Sequence, residues 1–189
     1  MSNLFKYYQE EGRKILAKDL GIGNIMMVPK LVKIVVNIGL GEALTDKKVL
    51  EVAAGQLSQI TGQKPSIRRA KHDISSFKLR QGDAVGLKVT LRGRMMYDFC
   101  EKLVKIVLPR IRDFRGVPDT GFDKEGNFTL GLSEQIVFPE IEYSQVDKIR
   151  GLEMTFVISG KGKKEARRLL EVLGMPFKKP VAAKRAEGK

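Results

Sequence analysis

Three observations predict an α+β fold of two layers, a largely antiparallel sheet with helices on one face and the other face open. Segments rich in β-branched residues alternate in character: LVKIVVNIG (31–39), GLKVTLRG (86–93) and LEMTFVISG (152–160). Side chains of a strand alternate faces, so each segment is apolar on one side only. Segments with helical spacing lie between these strands, and they supply the cover for the apolar side.

The elements follow in order. NLFKYYQEEGRKILAKDLG (3–21) places Leu4, Phe5, Tyr8, Ile15, Leu16 and Leu20 near helical spacing. Gly21 suits the C-terminal cap, and Gly12 weakens the middle. Pro29 marks the entry to the first strand, where Ile34, Val36 and Ile38 face one way and Lys33, Val35 and Asn37 the other. DKKVLEVAAGQLSQITG (46–62) reads as a helix with Val49, Leu50, Ala53, Leu57 and Ile60 on one stripe and Gly62 at its end. QKPSIRRA and DAVGLKVTLRG form an antiparallel pair, joined by the loop KHDISSFKLRQG (71–82), which is longer than the connections typical of hairpins. RMMYDFCEKLVKIVLPRI (94–111) is a second amphipathic helix with Met96, Phe99, Leu103, Ile106 and Val107 inward, bent or ended at Pro109. FDKEGNFTLGL reads as a hairpin around Glu125, Gly126 and Asn127; LEMTFVISG is a further strand, and KKEARRLLEVLG a last helix closed by Gly174. The segment from Met175 onward is expected to fray. With no repeat and no clear linker, residues 1–180 are read as one domain and residues 181–189 as a basic tail.

Charge narrows the function. The formal net charge is +13 and the pI about 9.9, so polyanions are the natural partners. Nine cationic and two anionic side chains lie between residues 64 and 94, whereas residues 95–160 carry eight and eleven. A uniform solubility coat does not produce that partition, and two kinds of partner are expected. A single cysteine permits no internal disulfide, the start MSNLFKYYQEEGRK lacks the apolar core of a signal peptide, and no apolar run has the length of a membrane span. A soluble, cytoplasmic protein is expected. The open face collects Lys33, Asn37, Ser66, Arg68, Lys88, Thr90, Arg92 and Thr155. Cations mixed with short hydrogen-bonding groups suit a ribose-phosphate backbone and its 2′-hydroxyls. No aromatic residue occupies that face, which favours structured RNA over stacked single strands.

Catalytic readings find little support. His72, the one histidine, lies in a basic loop without the neighbours a zinc site or a nucleophile requires. Cys100 falls within an apolar helical stripe and reads as packing. SGKGKKE has Lys164 where a phosphate-binding loop needs Ser or Thr, and IGLGEA has Leu44 where a dinucleotide fingerprint needs its third glycine. No enzyme activity, cofactor, metal or small-molecule substrate is expected.

KIVVNIGLGEA, ITGQKP, FKLRQG, GLKVTLRG and RDFRGV, in this order and across essentially the whole chain, resemble the bacterial large-subunit ribosomal protein five family. The resemblance implies binding of 5S ribosomal RNA, its attachment to large-subunit RNA in the central protuberance, and a sheet whose concave face meets RNA. It also implies that Asn37, Gln63 and Thr90 contact 5S RNA; strand parity adds Lys33, Ser66, Arg68, Lys88 and Arg92. By the same resemblance, the long loop reaches the transfer RNA in the ribosomal P site through Lys71, Ser76, Phe77, Lys78 and Arg80. The acidic stretch, with Glu134, Glu140, Glu142 and Asp147, is expected to bridge to small-subunit ribosomal protein thirteen.

Overall fold

A computed structural model describes residues 3–143 and 146–178. Residues 3–20 form the N-terminal helix α1, whose α-helical pieces Asn3–Tyr7 and Arg13–Leu20 are joined by a π turn, Tyr8–Gly12. That widened turn ends on the glycine, the residue expected to weaken the helix. Then come β1 (Lys30–Gly39), α2 (Lys48–Thr61), β2 (Ser66–Arg69) and β3 (Ala84–Leu91). Residues 93–110 form α3, followed by β4 (Phe128–Leu132), β5 (Leu152–Ser159) and α4 (Lys163–Val172). Gly21 and Gly62 close α1 and α2 in the left-handed conformation, as their positions in the sequence predict.

The five strands make one antiparallel sheet in the order β2-β3-β1-β5-β4. Hence β1 is central, with Ile34 opposite both Leu91 and Phe156, and Val36 opposite both Val89 and Met154. Those residues, with Ile38, Leu87, Phe128 and Leu130, form the buried layer on which the helices pack. Each fully buried aliphatic or aromatic side chain of that layer contributes about 1.5–3 kcal/mol relative to exposure. Gly86 is required where it stands: a Cβ there would lie 2.6 Å from the Ile38 carbonyl oxygen. The helical layer is tied to the sheet by Tyr8, whose buried hydroxyl donates to the Pro29 carbonyl at 2.8 Å. Among the described residues no helix is long and apolar enough to cross a membrane.

Two local expectations are corrected. The apolar spacing of α3 places Ile106 inward, but it is 45% exposed, while Leu103, Val107 and Leu108 are buried. The cause is a second π turn, Leu103–Val107: closure over five residues instead of four rotates Ile106 off the apolar stripe. The chain after Gly174 does not fray at once. Met175 is buried, the Val117 amide donates to the Pro176 carbonyl at 2.8 Å, and the Lys178 amide donates to the Val117 carbonyl at 3.0 Å. Phe177 packs against Phe122 and Phe128, with ring centroids 5.7 and 5.5 Å away. Residues 181–189, read as a tail, lie outside the described residues. The FDKEGN turn has a single bridge on its incoming side, Phe122 with Phe128, and the Asp123 carboxylate accepts from the Glu125 and Asn127 amides.

Arg150, whose side chain is almost wholly buried, is held by Asp147 through a bidentate pair, both N···O distances 2.7 Å. Gln135 completes the join: its carbonyl accepts from the Arg150 amide and its NH₂ donates to the Lys148 carbonyl at 2.7 Å. The hydrogen bonds from Arg150 hold the Asp147 carboxyl down at about 2. A carboxyl depressed on folding stabilises above its unfolded value of about 4 and loses that contribution as pH falls through about 2. Asp147→Asn should therefore destabilise the protein by about 1 kcal/mol at neutral pH, the exposed side of the pair screening a larger value. In urea unfolding, that difference from the parent protein should shrink to nothing as the pH is lowered to about 2; a difference constant with pH would contradict the assignment.

Candidate nucleic-acid interface

The register assembles the side chains on the far side of the sheet into rows. Ser66 pairs with Lys88, Lys88 with Asn37, Asn37 with Glu153 and Glu153 with Gly131, so these five cross the whole sheet in one line. Thr90, Val35, Thr155 and Thr129 make the next row, in which the two threonine hydroxyls of β5 and β4 lie 3.1 Å apart. Lys33 pairs with Val157 at one end, near Arg92, which follows β3 in extended conformation. Arg68, Gly86 and Gly39 make the row at the other end.

Strand parity thus brings together seven of the expected residues: Lys33, Asn37, Ser66, Arg68, Lys88, Thr90 and Thr155. Arg92 stands at their border. Gln63 is not on the sheet. It is an exposed residue of the turn from α2 to β2, placed by Gly62 at φ +68 and by the Thr61 hydroxyl, which donates to the Gln63 carbonyl at 3.1 Å. That turn leads directly to Ser66, so Gln63 borders the same edge. None of the open-face positions is aromatic, in agreement with the expectation from sequence.

Sequence reasoning missed Glu153 and Val157, and it placed Val35 on this side of β1 without counting it among the residues of the open face. All three follow from the alternation that buries Leu152, Met154, Phe156 and Ile158 on β5 and Ile34 and Val36 on β1. The face is therefore not uniformly polar: two half-buried valines lie along its centre, and one exposed carboxylate interrupts its longest polar row.

The loop 71–82 is built rather than slack. Ile74 and Leu79 bridge through two amide-to-carbonyl hydrogen bonds of 2.9 and 3.1 Å, leaving a tip in which Ser75–Phe77 make a 3₁₀ turn and Lys78 is left-handed at φ +53. Its base is fastened as well. The Asp83 carboxylate accepts from the Arg80 amide at 2.8 Å, Asp73 accepts from the Gln81 amide, and Arg69 donates to the Gly82 carbonyl at 2.8 Å. Phe77 at the tip is 72% exposed, and Lys71, His72, Ser76, Lys78 and Arg80 are exposed around it. Such fixed presentation reduces the ordering cost of binding.

The expected acidic partner surface is partly consumed within the chain. Asp147 is held by Arg150, and Glu140 forms an ion pair with Lys102, whose ammonium also donates to the Ile60 carbonyl at 2.6 Å. Glu134 and Glu142 are exposed. Cys100 is buried in α3, and burial pushes its thiol up to about 12, far from a reactive thiolate.

Comparison with known proteins gives the family. Residues 24–80 match the family described as "Ribosomal protein L5", and residues 84–177 match the C-terminal region of the same ribosomal family. The chain is 53% identical over 178 residues to the large ribosomal subunit protein uL5 of Mesoplasma florum, covering 94% of this chain and 99% of that protein. It is 52% identical over 178 residues to the uL5 protein of Heliobacterium modesticaldum, with the same shares covered. Against that of Desulforamulus reducens it is 50% identical over 179 residues, covering 95% and 99%. With identity of about one half along nearly its whole length, the chain belongs to the L5 family of ribosomal proteins, non-enzymatic structural constituents of the large ribosomal subunit.

Proposed function

We propose that this member of the family binds 5S ribosomal RNA through the open face of its sheet and so helps to attach that RNA to the large-subunit RNA in the central protuberance. One observation carries the reading: the row from Ser66 through Lys88 and Asn37 runs across three strands on the side of the sheet opposite the buried layer shared with the helices, and Lys33, Arg68, Thr90 and Arg92 flank it. Cations separated by short donors and acceptors match phosphates separated by ribose hydroxyls. Residues 1–180 act as one unit in this reading, because the 24–80 and 84–177 regions contribute strands to the same sheet. As a large-subunit protein it works in the cytoplasmic ribosome.

The loop 71–82 contacts P-site transfer RNA, supported by its fastened base and its exposed tip of Phe77 and Lys78 between Lys71 and Arg80. The region of Glu134 and Glu142 meets the basic small-subunit ribosomal protein thirteen. Glu134, Glu140 and Glu142 are exposed, which supports that reading, and Glu140 and Asp147 also pair with Lys102 and Arg150 within the chain.

Asn37→Ala and Thr90→Ala should each weaken binding to transcribed 5S RNA at physiological salt by about 1–3 kcal/mol, with unfolding midpoints unchanged. Unaltered affinity in both variants would remove the site from the sheet. Replacing Lys78 and Arg80 together by Ala should leave 5S affinity intact and reduce crosslinking of the loop to P-site transfer RNA in assembled ribosomes. If 5S affinity fell instead, the loop would belong to the 5S interface.

A further inference from the structure

The cations of the open face all lie on one half of it. Lys88 is on β3, Arg92 directly follows it, Lys33 is on β1 and Arg68 on β2; the half made by β5 and β4 presents Glu153, Thr155, Val157, Thr129 and Gly131, with no cation. Glu153 is exposed and stands between Asn37 of β1 and Gly131 of β4. Among the described residues it forms no ion pair; the cation in its own row, Lys88, is two strands away, about 10 Å at ordinary strand spacing. Gly131 and Gly39 have no atom within 4 Å of where a Cβ would be, so bare backbone flanks the carboxylate. Glycine in a strand often marks close approach by a ligand.

An ionised carboxylate only accepts hydrogen bonds, and it repels phosphate. RNA lying across this face must therefore run its backbone over the β1-β3-β2 half and turn something else toward β5. We infer that Glu153 accepts a hydrogen bond from an exocyclic amino group of a nucleobase, and that this contact makes the face selective for its RNA rather than merely adhesive. Guanine N2 in a shallow groove and the amino groups of unpaired cytosine or adenine are donors of the required kind. Asn37, directly opposite and able both to donate and to accept, completes a side-by-side pair suited to a base edge. The inference rests on the reading that the open face binds 5S RNA, and it changes one part of it, since recognition then includes base identity and not only shape and backbone.

Because the side chain is exposed, Glu153→Gln should leave the thermal unfolding midpoint where it is. Binding is measured for the parent protein and this variant with transcribed 5S RNA and with a mixed-sequence RNA duplex of equal length. For 5S RNA the variant should bind about tenfold more weakly, while its affinity for the duplex stays level or rises because a negative charge is gone. A loss of equal size on both RNAs would assign the contact to a 2′-hydroxyl, which every ribonucleotide carries, and would overturn the inference. Unchanged or tighter binding of 5S RNA would overturn it too, leaving Glu153 a solvated carboxylate. Failure of the underlying reading looks different: the parent protein itself would show no preference for 5S RNA over the duplex, and the inference would fall with it.

Discussion

The structure depends on the antiparallel pairing of β1 with both β3 and β5. That double pairing fixes a register in which Ile34, Val36 and Ile38 point into the helical layer and Lys33, Val35 and Asn37 point away. A slip of one residue would exchange the two sets, burying a lysine and an asparagine and exposing three aliphatic side chains. The apolar side therefore specifies the polar side. No separate stabilising device is needed to arrange Asn37 beside Lys88 and Glu153; the free energy that buries Leu87, Met154 and Phe156 does it.

Electrostatics then divides the surface. Cations on the open face stand unpaired among the described residues and remain available to a polyanion. Elsewhere the chain ties its charges to each other: Arg168 to Asp19 and Glu171, Arg167 to Asp119 and Glu171, Lys102 to Glu140 and Arg150 to Asp147. The first two groups join α4 to α1 and to the chain before β4, which holds the helical layer together behind the sheet. A net charge of +13 is thus not spread evenly in effect: part of it is cancelled within the fold, and the cations of the open face are left bare.

Much of this was legible in the sequence because the strands obey period two and the helix ends carry glycine. The five strands, the open face and the residues Lys33, Asn37, Ser66, Arg68, Lys88, Thr90 and Thr155 follow from that alternation. What stayed hidden has identifiable causes. Ile106 was misplaced because a π turn changes the helical phase without leaving a mark in the spacing of apolar residues. Pro176 and Phe177 looked like tail because their partners, Val117, Phe122 and Phe128, are some fifty residues distant in sequence. Glu153 was within reach of the same parity argument that found Thr155, and was overlooked because an acid was not expected on a cationic face. The internal pairing of Glu140 and Asp147 depends on tertiary proximity or on a turn, neither of which composition reveals.

The central claim is that RNA meets the sheet and not the helices. Acylation of lysines, read by mass spectrometry with and without saturating 5S RNA, tests it directly, because Lys33 and Lys88 lie on the open face while Lys14 and Lys18 lie exposed on α1 in the helical layer. The account predicts that RNA protects Lys33 and Lys88 and leaves Lys14 and Lys18 as reactive as in the free protein. Protection of Lys14 and Lys18 with Lys33 and Lys88 unchanged would contradict it.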